Sequence, residues 1–313
     1  MFPESPEPVP LKPFASPVAG AALPLAAVLL LSGGCTRIIA RAAGQSLTGD
    51  GSLFAAEDDP ELVRQALPFG LKTLEGLLAK APGDDRLLLG AASGFTQYAY
   101  AFVQQDAEIL AASDPVGSRA GLARARRLYR RARDYGLRGL EAKHPGFTAA
   151  LAADPVAAAA SARREDVPLL YWTATAWGAW VALSKDDMKA VGQLPRMEAL
   201  LARALTLNES WDGGALHEFG VTYEGSRGGA EGAGRAKQHL DLALAQSGGC
   251  RLGALVAYAE HACVATQDRK AFDAALDRVL AFDPDGEPAH RLANLLAQSR
   301  ARWLKSRSED LFL

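Results

Sequence analysis

Residues 194–223 constrain the fold most strongly, because they contain two apolar-periodic segments separated by a polar break. In the first segment Met197, Leu201 and Ala204 recur at steps of four and three residues, which is the spacing of one face of an α-helix. Charged residues occupy the other faces of this segment. The stretch therefore predicts two consecutive helices, the first of which has an apolar face that packs against a neighbour.

The second segment resembles the first helix of a tetratricopeptide repeat, whose signature is W-x2-L-G-x2-Y. Its own spacing is L-x2-F-G-x2-Y, formed by Leu216, Phe219, Gly220 and Tyr223. The second-helix spacing of such a repeat occurs ahead of three prolines. Gly70, Leu74 and Leu77 precede Pro82, and Leu137 and Leu140 precede Pro145. Phe272, Leu276 and Val279 precede Pro284. One such copy is an ordinary helix end, since proline cannot continue a helix, but three copies favour a repeat array.

The composition of the chain supports helices throughout. The 313 residues are 49% hydrophobic and contain no run of alternating β-branched residues that would indicate a strand. We therefore predict an all-α fold, an array of antiparallel helix pairs with degenerate tetratricopeptide-like repeats around a buried central helix. The formal net charge of −2 gives no indication of a nucleic-acid partner.

The central helix is predicted at residues 169–183, which carry no charged side chain. Tyr171, Trp172, Trp177 and Trp180 point to all sides of this helix, so no face of it suits solvent. Its fifteen residues are too few to span a bilayer, which needs about 20, and the helix is expected to be buried. Two interpretations remain open. Some of the rings line a cavity for an apolar or amphipathic ligand or for a partner segment, or all of them belong to the core.

The N-terminal residues have the pattern of an export signal. Residues 18–31 form an apolar run of fourteen residues, which is followed by small residues and then by Cys35. The run suits the core of a signal peptide, and the cysteine after it resembles a bacterial lipoprotein cleavage site. We predict a signal peptide at 1–34, a lipidated tether at 35–56 with the lipid on Cys35, and a single all-α repeat domain at 57–313. The alternative is a soluble signal peptide with an incidental cysteine.

An arginine-rich amphipathic helix is predicted at residues 117–142. Its eight arginines are Arg119, Arg124, Arg126, Arg127, Arg130, Arg131, Arg133 and Arg138. An apolar stripe that includes Tyr129 and Tyr135 lies between them. The helix either presents a basic surface to an acidic partner or to anionic lipid headgroups, or it is a solvated face paired with acidic residues elsewhere.

Sequence motifs for catalysis or metal binding are not apparent. His217 starts like the helical zinc-protease motif, but Val221 occupies the position of the second histidine. Residues 225–234 are rich in glycine without a preceding strand, which favours a flexible linker over a phosphate-binding loop. Cys250 and Cys263 are expected to stay unpaired, because thirteen helical residues would separate them by about 20 Å. We therefore expect no metal, no cofactor and no catalytic residue.

Five segments together resemble the T-component of tetratricopeptide-associated TRAP transporters. They are residues 57–78, 126–147, 167–180, 209–219 and 294–304, in this order behind the cysteine of the export signal. The resemblance implies a periplasm-facing lipoprotein with cryptic helical repeats that assists a solute-binding subunit and a membrane permease. It also implies an accessory binding protein rather than an enzyme, so no catalytic residue is transferred.

From this resemblance we expect a lipid-anchored protein that docks a periplasmic solute-binding protein and holds or passes on a small apolar or amphipathic ligand. A general envelope scaffold and an enzyme with an unfamiliar site are the alternatives. Thr36 after the cysteine favours the outer membrane in a host that has one. The lipid is the only membrane contact that we expect. A homo-oligomer is left open. The predicted binding residues, on helices that would line the concave side of a repeat array, are Tyr171, Trp172, Trp177, Trp180, Trp211, His217 and Tyr223.

Overall fold

The computed structural model of the protein describes residues 52–313, which form helices, turns and loops. No strand occurs in this range, and this confirms the predicted all-α class. The predicted signal peptide, Cys35 and most of the predicted tether lie outside the described residues. The tetratricopeptide-like repeat arrangement stays a prediction.

The helices vary widely in length. They are α1 Ser52–Ala55, α2 Pro60–Lys80, α3 Asp85–Tyr98, α4 Gln105–Leu110, α5 Pro115–Lys143, α6 Phe147–Ala153, α7 Pro155–Ala160, α8 Val167–Ala182, α9 Met188–Val191, α10 Leu194–Asn208, α11 Ala215–Ser226, α12 Gly229–Gln246, α13 Leu252–Ala257, α14 Val264–Thr266, α15 Arg269–Ala281, α16 Arg291–Ser306 and α17 Ser308–Leu311. Two π-helical segments lie inside longer helices: π1, Ala99–Gln104, joins α3 to α4, and π2, Tyr258–Cys263, joins α13 to α14. Short 3-10 turns occur at Arg164–Asp166, Trp211–Gly213, Pro284–Gly286 and Pro288–His290.

Aspartate side chains begin many of these helices. Asp59 accepts hydrogen bonds from the backbone N–H groups of Glu61 (2.9 Å) and Leu62 (3.0 Å) at the start of α2. A carboxylate in this position satisfies N–H groups that have no partner within the helix, and it faces the positive end of the helix dipole. The same arrangement begins other helices at Asp84, Asp114, Asp154, Asp187 and Asp268. The helix starts are therefore set by local sequence.

Three apolar clusters follow one another along the chain. The N-terminal cluster packs α2, α3, π1 and α5 around Tyr129, and the middle cluster packs α8 and α10 with their neighbours around Trp177. The C-terminal cluster packs α12, α13, π2, α15 and α16 around Phe272. Helix α8 contacts α3, α5, α9, α10 and α11. The apolar helix predicted to be central therefore lies among five other helices of the described part.

The first and last parts of the helical array meet. Helix α16 contacts both α1 and α2, and its Leu292 and Leu296 pack against the N-terminal cluster. The Arg291 guanidinium donates a hydrogen bond to the carbonyl oxygen of Ala56 (3.2 Å). Within the described residues α1 precedes Glu57, the predicted start of the domain, and this C-terminal helix packs against it. The array of helices thus closes on itself.

The glycine-rich residues 225–234 are not the flexible linker that their composition predicted. They end α11 and form the beginning of α12, with only Arg227 and Gly228 between the two helices. A Cβ atom at Gly225 would lie 2.9 Å from the Cβ of His261 in π2. The prediction was wrong because this glycine permits close packing between helices, a role that composition alone does not distinguish from flexibility.

The contact between α5 and α8 depends on Gly136. A Cβ atom there would lie 3.0 Å from the Cβ and 3.2 Å from the Cα of Thr173, so the helices would have to move apart. Alanine is normally about 1 kcal/mol more favourable than glycine within a helix, but overpacking costs about 1 to 3 kcal/mol. We expect Gly136→Ala to lower the melting temperature. Gly76→Ala is the matched control and should raise it, since its Cβ would meet nothing within 4 Å. A rise for both variants in thermal unfolding would contradict the close approach of α5 and α8.

None of the helices between residues 52 and 313 is long and apolar enough to cross a membrane.

Candidate functional site

The two π-helical segments bring polar side chains to one place in the closed array. A π segment places one extra residue in a helical turn and is found frequently at functional sites. Segment π1 carries Tyr100, and π2 carries Glu260. The Glu260 carboxylate accepts a hydrogen bond from Arg300 of α16, the helix that closes the array, and the Tyr100 phenol contributes to the raised pKa of the same arginine. The candidate site is built around this arginine.

Arg300 is held by two carboxylates from different parts of the chain. Its Nε donates to Glu260 Oε2 (3.1 Å), and its Nη2 donates to Glu260 Oε1 and lies 2.6 Å from Glu108 Oε2. The residue is only 5% exposed. Burial lowers the pKa of Arg300, but the charges and hydrogen bonds of Glu260 and Glu108 outweigh burial and raise the pKa above its ordinary value. The arginine therefore stays charged and ties α4, π2 and α16 together.

One donor of this arginine is unused. Within the described part of the chain, the buried Nη1 atom of Arg300 has no hydrogen-bond partner. The Trp303 ring lies against the same guanidinium, 4.1 Å from its central carbon to the ring centroid. A buried donor without an acceptor is unfavourable by about 1 to 3 kcal/mol. An acceptor on a bound molecule would remove this cost.

Tyr100 places the edge of the site in contact with solvent. Its side chain is half exposed, at 50%, although burial is the main cause that raises the pKa of its phenol. The charges of Glu260, Glu108 and Glu218 raise the pKa further, while Arg300 opposes them.

Glu218 belongs to a second charged group, which is centred on Arg251. Arg251 Nη1 donates to Glu218 Oε2 (2.7 Å), Nη2 to Asp212 Oδ2 (2.5 Å) and Nε to the carbonyl of Gly213 (3.1 Å). Burial raises the pKa of Tyr171, and the negative charge of Glu218 raises that pKa further. The charge of Glu218 thus raises the pKa of both Tyr100 and Tyr171. We define the polar recess as Tyr100, Glu108, Glu218, Arg251, Glu260 and Arg300.

Three of the sequence-predicted aromatic residues lie together beside the recess. The Tyr171 ring lies 4.9 Å from the Trp172 ring, in an edge-on arrangement, and 4.9 Å from the Trp211 ring. Tyr171 is buried, while Trp172 and Trp211 are partly buried. This aromatic group joins the recess through Tyr171, whose phenol is within electrostatic range of Glu218 and Arg251.

The other predicted residues lie elsewhere in the middle cluster. Trp177 is 2% exposed and Trp180 is partly buried, and the Arg133 guanidinium lies over both rings at 5.2 and 4.5 Å. Tyr223 donates a hydrogen bond to Glu198 and stacks on Phe219, and burial together with Glu198 raises the pKa of Tyr223 to about 12. The predicted set is thus divided among separate places, and the binding role of its members stays a prediction.

His217 forms a buried pair with a histidine that the sequence did not link to it. Its Nδ1 lies 2.9 Å from Nδ1 of His239 in α12, and its Nε2 lies 3.2 Å from Glu209 Oε1. Burial lowers the pKa of His217, although Glu209 opposes this shift. Burial and the charge of His217 lower the pKa of His239, opposed by Glu224 and Glu209. The fold therefore favours a neutral pair.

The histidine pair should make stability depend on pH. Both folded-state pKa values are lowered, so their stabilising effect is present above the ordinary pKa of about 6.5 and is lost as pH falls below it, because the unfolded chain then binds more protons. We expect His239→Gln to make the fall of the free energy of unfolding between pH 7.5 and pH 5 shallower. His290→Gln is the control, since His290 lies outside the pair. Urea unfolding at each pH measures this, and equal slopes for His239→Gln and the unchanged protein would contradict the expectation.

Comparison with known proteins gives the family. The TRAP transporter T-component family matches residues 56–312. The chain is also 33% identical over 270 residues to an uncharacterised protein of Treponema pallidum (strain Nichols), covering 83% of each chain. The matched range includes α2 to α16 and therefore both π segments and Arg300. The chain belongs to the TRAP transporter T-component family, whose members are accessory components of these transporters.

Proposed function

We propose that this chain is a lipid-anchored, periplasm-facing protein that docks the solute-binding subunit of a TRAP transporter and holds or passes on its solute in the polar recess. The family supplies the transport role. The observation that supports the solute-handling part is the unused buried donor of Arg300, in a charged cluster that also includes the half-exposed Tyr100. The predicted export signal and Cys35 supply the anchor.

The recess favours an uncharged or amphipathic solute over an anion. The carboxylates of Glu108, Glu218 and Glu260 outnumber the guanidiniums of Arg251 and Arg300, and every one of these carboxylates is already paired with an arginine. A carboxylate on the solute would meet this excess of negative charge. A neutral acceptor such as a carbonyl can take the free Nη1 donor of Arg300, and an apolar body can pack on Trp303 or on the aromatic group at Tyr171.

Docking is tested with a TRAP solute-binding subunit from the same organism. We expect isothermal titration to show association, and Trp172→Ala or Tyr223→Ala to weaken it by more than about 1 kcal/mol, which is about fivefold in Kd. Met188→Ala is the control, because Met188 is strongly exposed and lies in the short helix α9, which contains neither residue. Thermal unfolding of each variant separates lost binding from lost stability. Stable variants with unchanged Kd would remove these positions from the proposal.

Solute handling is tested separately by native mass spectrometry of the chain as purified. A co-purifying small molecule without net charge is expected, and Tyr100→Ala should reduce its occupancy without lowering the melting temperature. Binding of carboxylates in preference to neutral analogues would contradict the charge argument. Equal association with several unrelated envelope proteins would favour a general scaffold instead.

Intact mass after membrane extraction tests the anchor, since an unmodified Cys35 would exclude lipidation there.

A further inference from the structure

The outer side of α5 carries a groove that the proposed function does not use. It has a volume of about 360 Å³, and its lining residues are Arg127, Arg130, Arg131, Asp134, Tyr135 and Arg138. These residues recur at steps of three and four, which places them along one face of α5. We call this feature the arginine groove.

Two of its guanidiniums are held in fixed orientations. Arg131 lies over the Phe95 ring of α3, 5.3 Å from the centroid, and 3.5 Å from Glu75. Arg138 lies 5.3 Å from the Tyr135 ring centroid and donates a hydrogen bond to the carbonyl of Pro82 (3.1 Å). Side chains that are already ordered lose less conformational entropy when they bind a ligand. The groove is therefore preorganised on one side.

The acidic residues nearby do not neutralise the groove. Asp134 accepts hydrogen bonds from Arg133, at 2.9 and 2.6 Å, which lies outside the lining. Glu75 is shared among Lys72 (2.5 Å), the Tyr135 hydroxyl (2.8 Å) and Arg131 (3.5 Å), so it offsets at most one guanidinium of the groove. Among residues 52–313, no ion pair or hydrogen bond involves the side chains of Arg127 and Arg130. Of the two interpretations left open for this helix, the structure favours the basic surface over the fully paired face.

We propose that the arginine groove binds the phosphate groups of anionic phospholipids and so holds this side of the protein against a membrane surface. Guanidinium groups match phosphate oxygens with two parallel hydrogen bonds, and four of them around one recess suit a phosphodiester with part of its headgroup. The proposal rests on the envelope location in the proposed function, and it is independent of docking to the solute-binding subunit.

Two observations favour a lipid surface over an acidic protein partner. Helix α2, whose Glu75 lies 3.5 Å from Arg131, also exposes Phe69 at 79%, and an exposed aromatic side chain on an element that contacts a basic surface is typical of membrane-surface contact. Residues 36–51 can span at most about 55 Å when extended, and the rise of α2 from Pro60 to Glu75 is about 22 Å. A membrane that holds Cys35 is therefore within reach of the groove.

The test uses the full chain in detergent and titrates it with short-chain, water-soluble phosphatidylglycerol, with the phosphatidylcholine of equal chain length, and with inorganic phosphate. We expect phosphatidylglycerol to bind at least tenfold more tightly than the other two, and its affinity to fall as salt rises from 25 to 300 mM. The predicted tether and any lipid on Cys35 contribute equally to both lipids. Arg127→Gln with Arg130→Gln should weaken phosphatidylglycerol binding at least tenfold. Arg86→Gln with Arg302→Gln has the same net charge and should leave it unchanged.

Each contrary outcome has a distinct meaning. Equal binding of the two lipids, or equal losses in the two double variants, would overturn the proposal. Phosphate binding as tight as that of phosphatidylglycerol would assign the groove to a free anion. Loss of association with the solute-binding subunit in the Arg127 and Arg130 variant, without any lipid binding, would assign it to a protein interface. Lipid binding in a chain that fails to associate with the solute-binding subunit would leave this inference standing and refute the docking role.

Discussion

Replacing Arg300 by methionine is expected to lower the free energy of unfolding by about 3 to 5 kcal/mol, the scale found when one partner of a buried ion pair is removed. Methionine fills a similar volume, so the loss comes mainly from Glu108 and Glu260, which would keep their negative charges without the guanidinium between them. The effect should be the largest for any single arginine in the described part, because Arg300 is the arginine with the lowest exposure there.

Urea unfolding of Arg300→Met beside Arg302→Met measures this loss. Arg302 lies on the same helix but is exposed, and its replacement should change stability by less than about 0.5 kcal/mol. Adding Glu108→Gln and Glu260→Gln to Arg300→Met should restore part of the stability, since the uncompensated charges are then gone. A loss below about 1 kcal/mol for Arg300→Met would show that the two carboxylates are not held by this arginine.

Trp177→Ala is expected to destabilise the protein by about 3 to 5 kcal/mol, because truncating a buried tryptophan removes apolar contacts and leaves a cavity. Trp177 lies in the middle cluster and also supports the Arg133 guanidinium. Trp172→Ala is the matched comparison, since Trp172 lies in the same helix but keeps part of its ring in contact with solvent.

Melting and partner binding measured on the same two variants separate core from surface. We expect Trp177→Ala to lose mainly stability and Trp172→Ala to lose mainly affinity for the solute-binding subunit or its solute. If both variants lost stability equally and kept full affinity when folded, the aromatic residues of α8 would all belong to the core. That outcome would leave the polar recess as the candidate site without them.

Much of the helical architecture follows from periodicity. The arginine-rich helix was predicted at 117–142 and extends over Pro115–Lys143, and the apolar helix was predicted at 169–183 and extends over Val167–Ala182. These boundaries were predictable because Asp114 and the prolines mark helix starts locally. A single apolar face predicts a helix that is buried on one side, and apolar residues on every side predict a helix that is buried all round.

The polar recess was not predictable in the same way. Its residues come from α4, π1, π2, α11, α16 and the segment before α13, which are far apart in the sequence. No residue pattern marks a π segment, so the positions of Tyr100 and Glu260 could not be inferred. One signal was present: Arg300 lies among the small buried residues Ala297 and Ala301 of α16, where a solvated arginine is not expected. Similarly, the contact of His217 with His239 depends on Gly220, which leaves room for the His239 ring.

The junction of α16 with α1 and α2 also limits how this architecture can vary. An open stack of helix pairs can gain or lose a pair and still present the same two ends to solvent. Here an inserted pair would separate Arg291 from Ala56 and Leu296 from the N-terminal cluster. Changes in chain length among relatives should therefore fall in the turns between helices, while the number of helices around the closed circuit stays fixed.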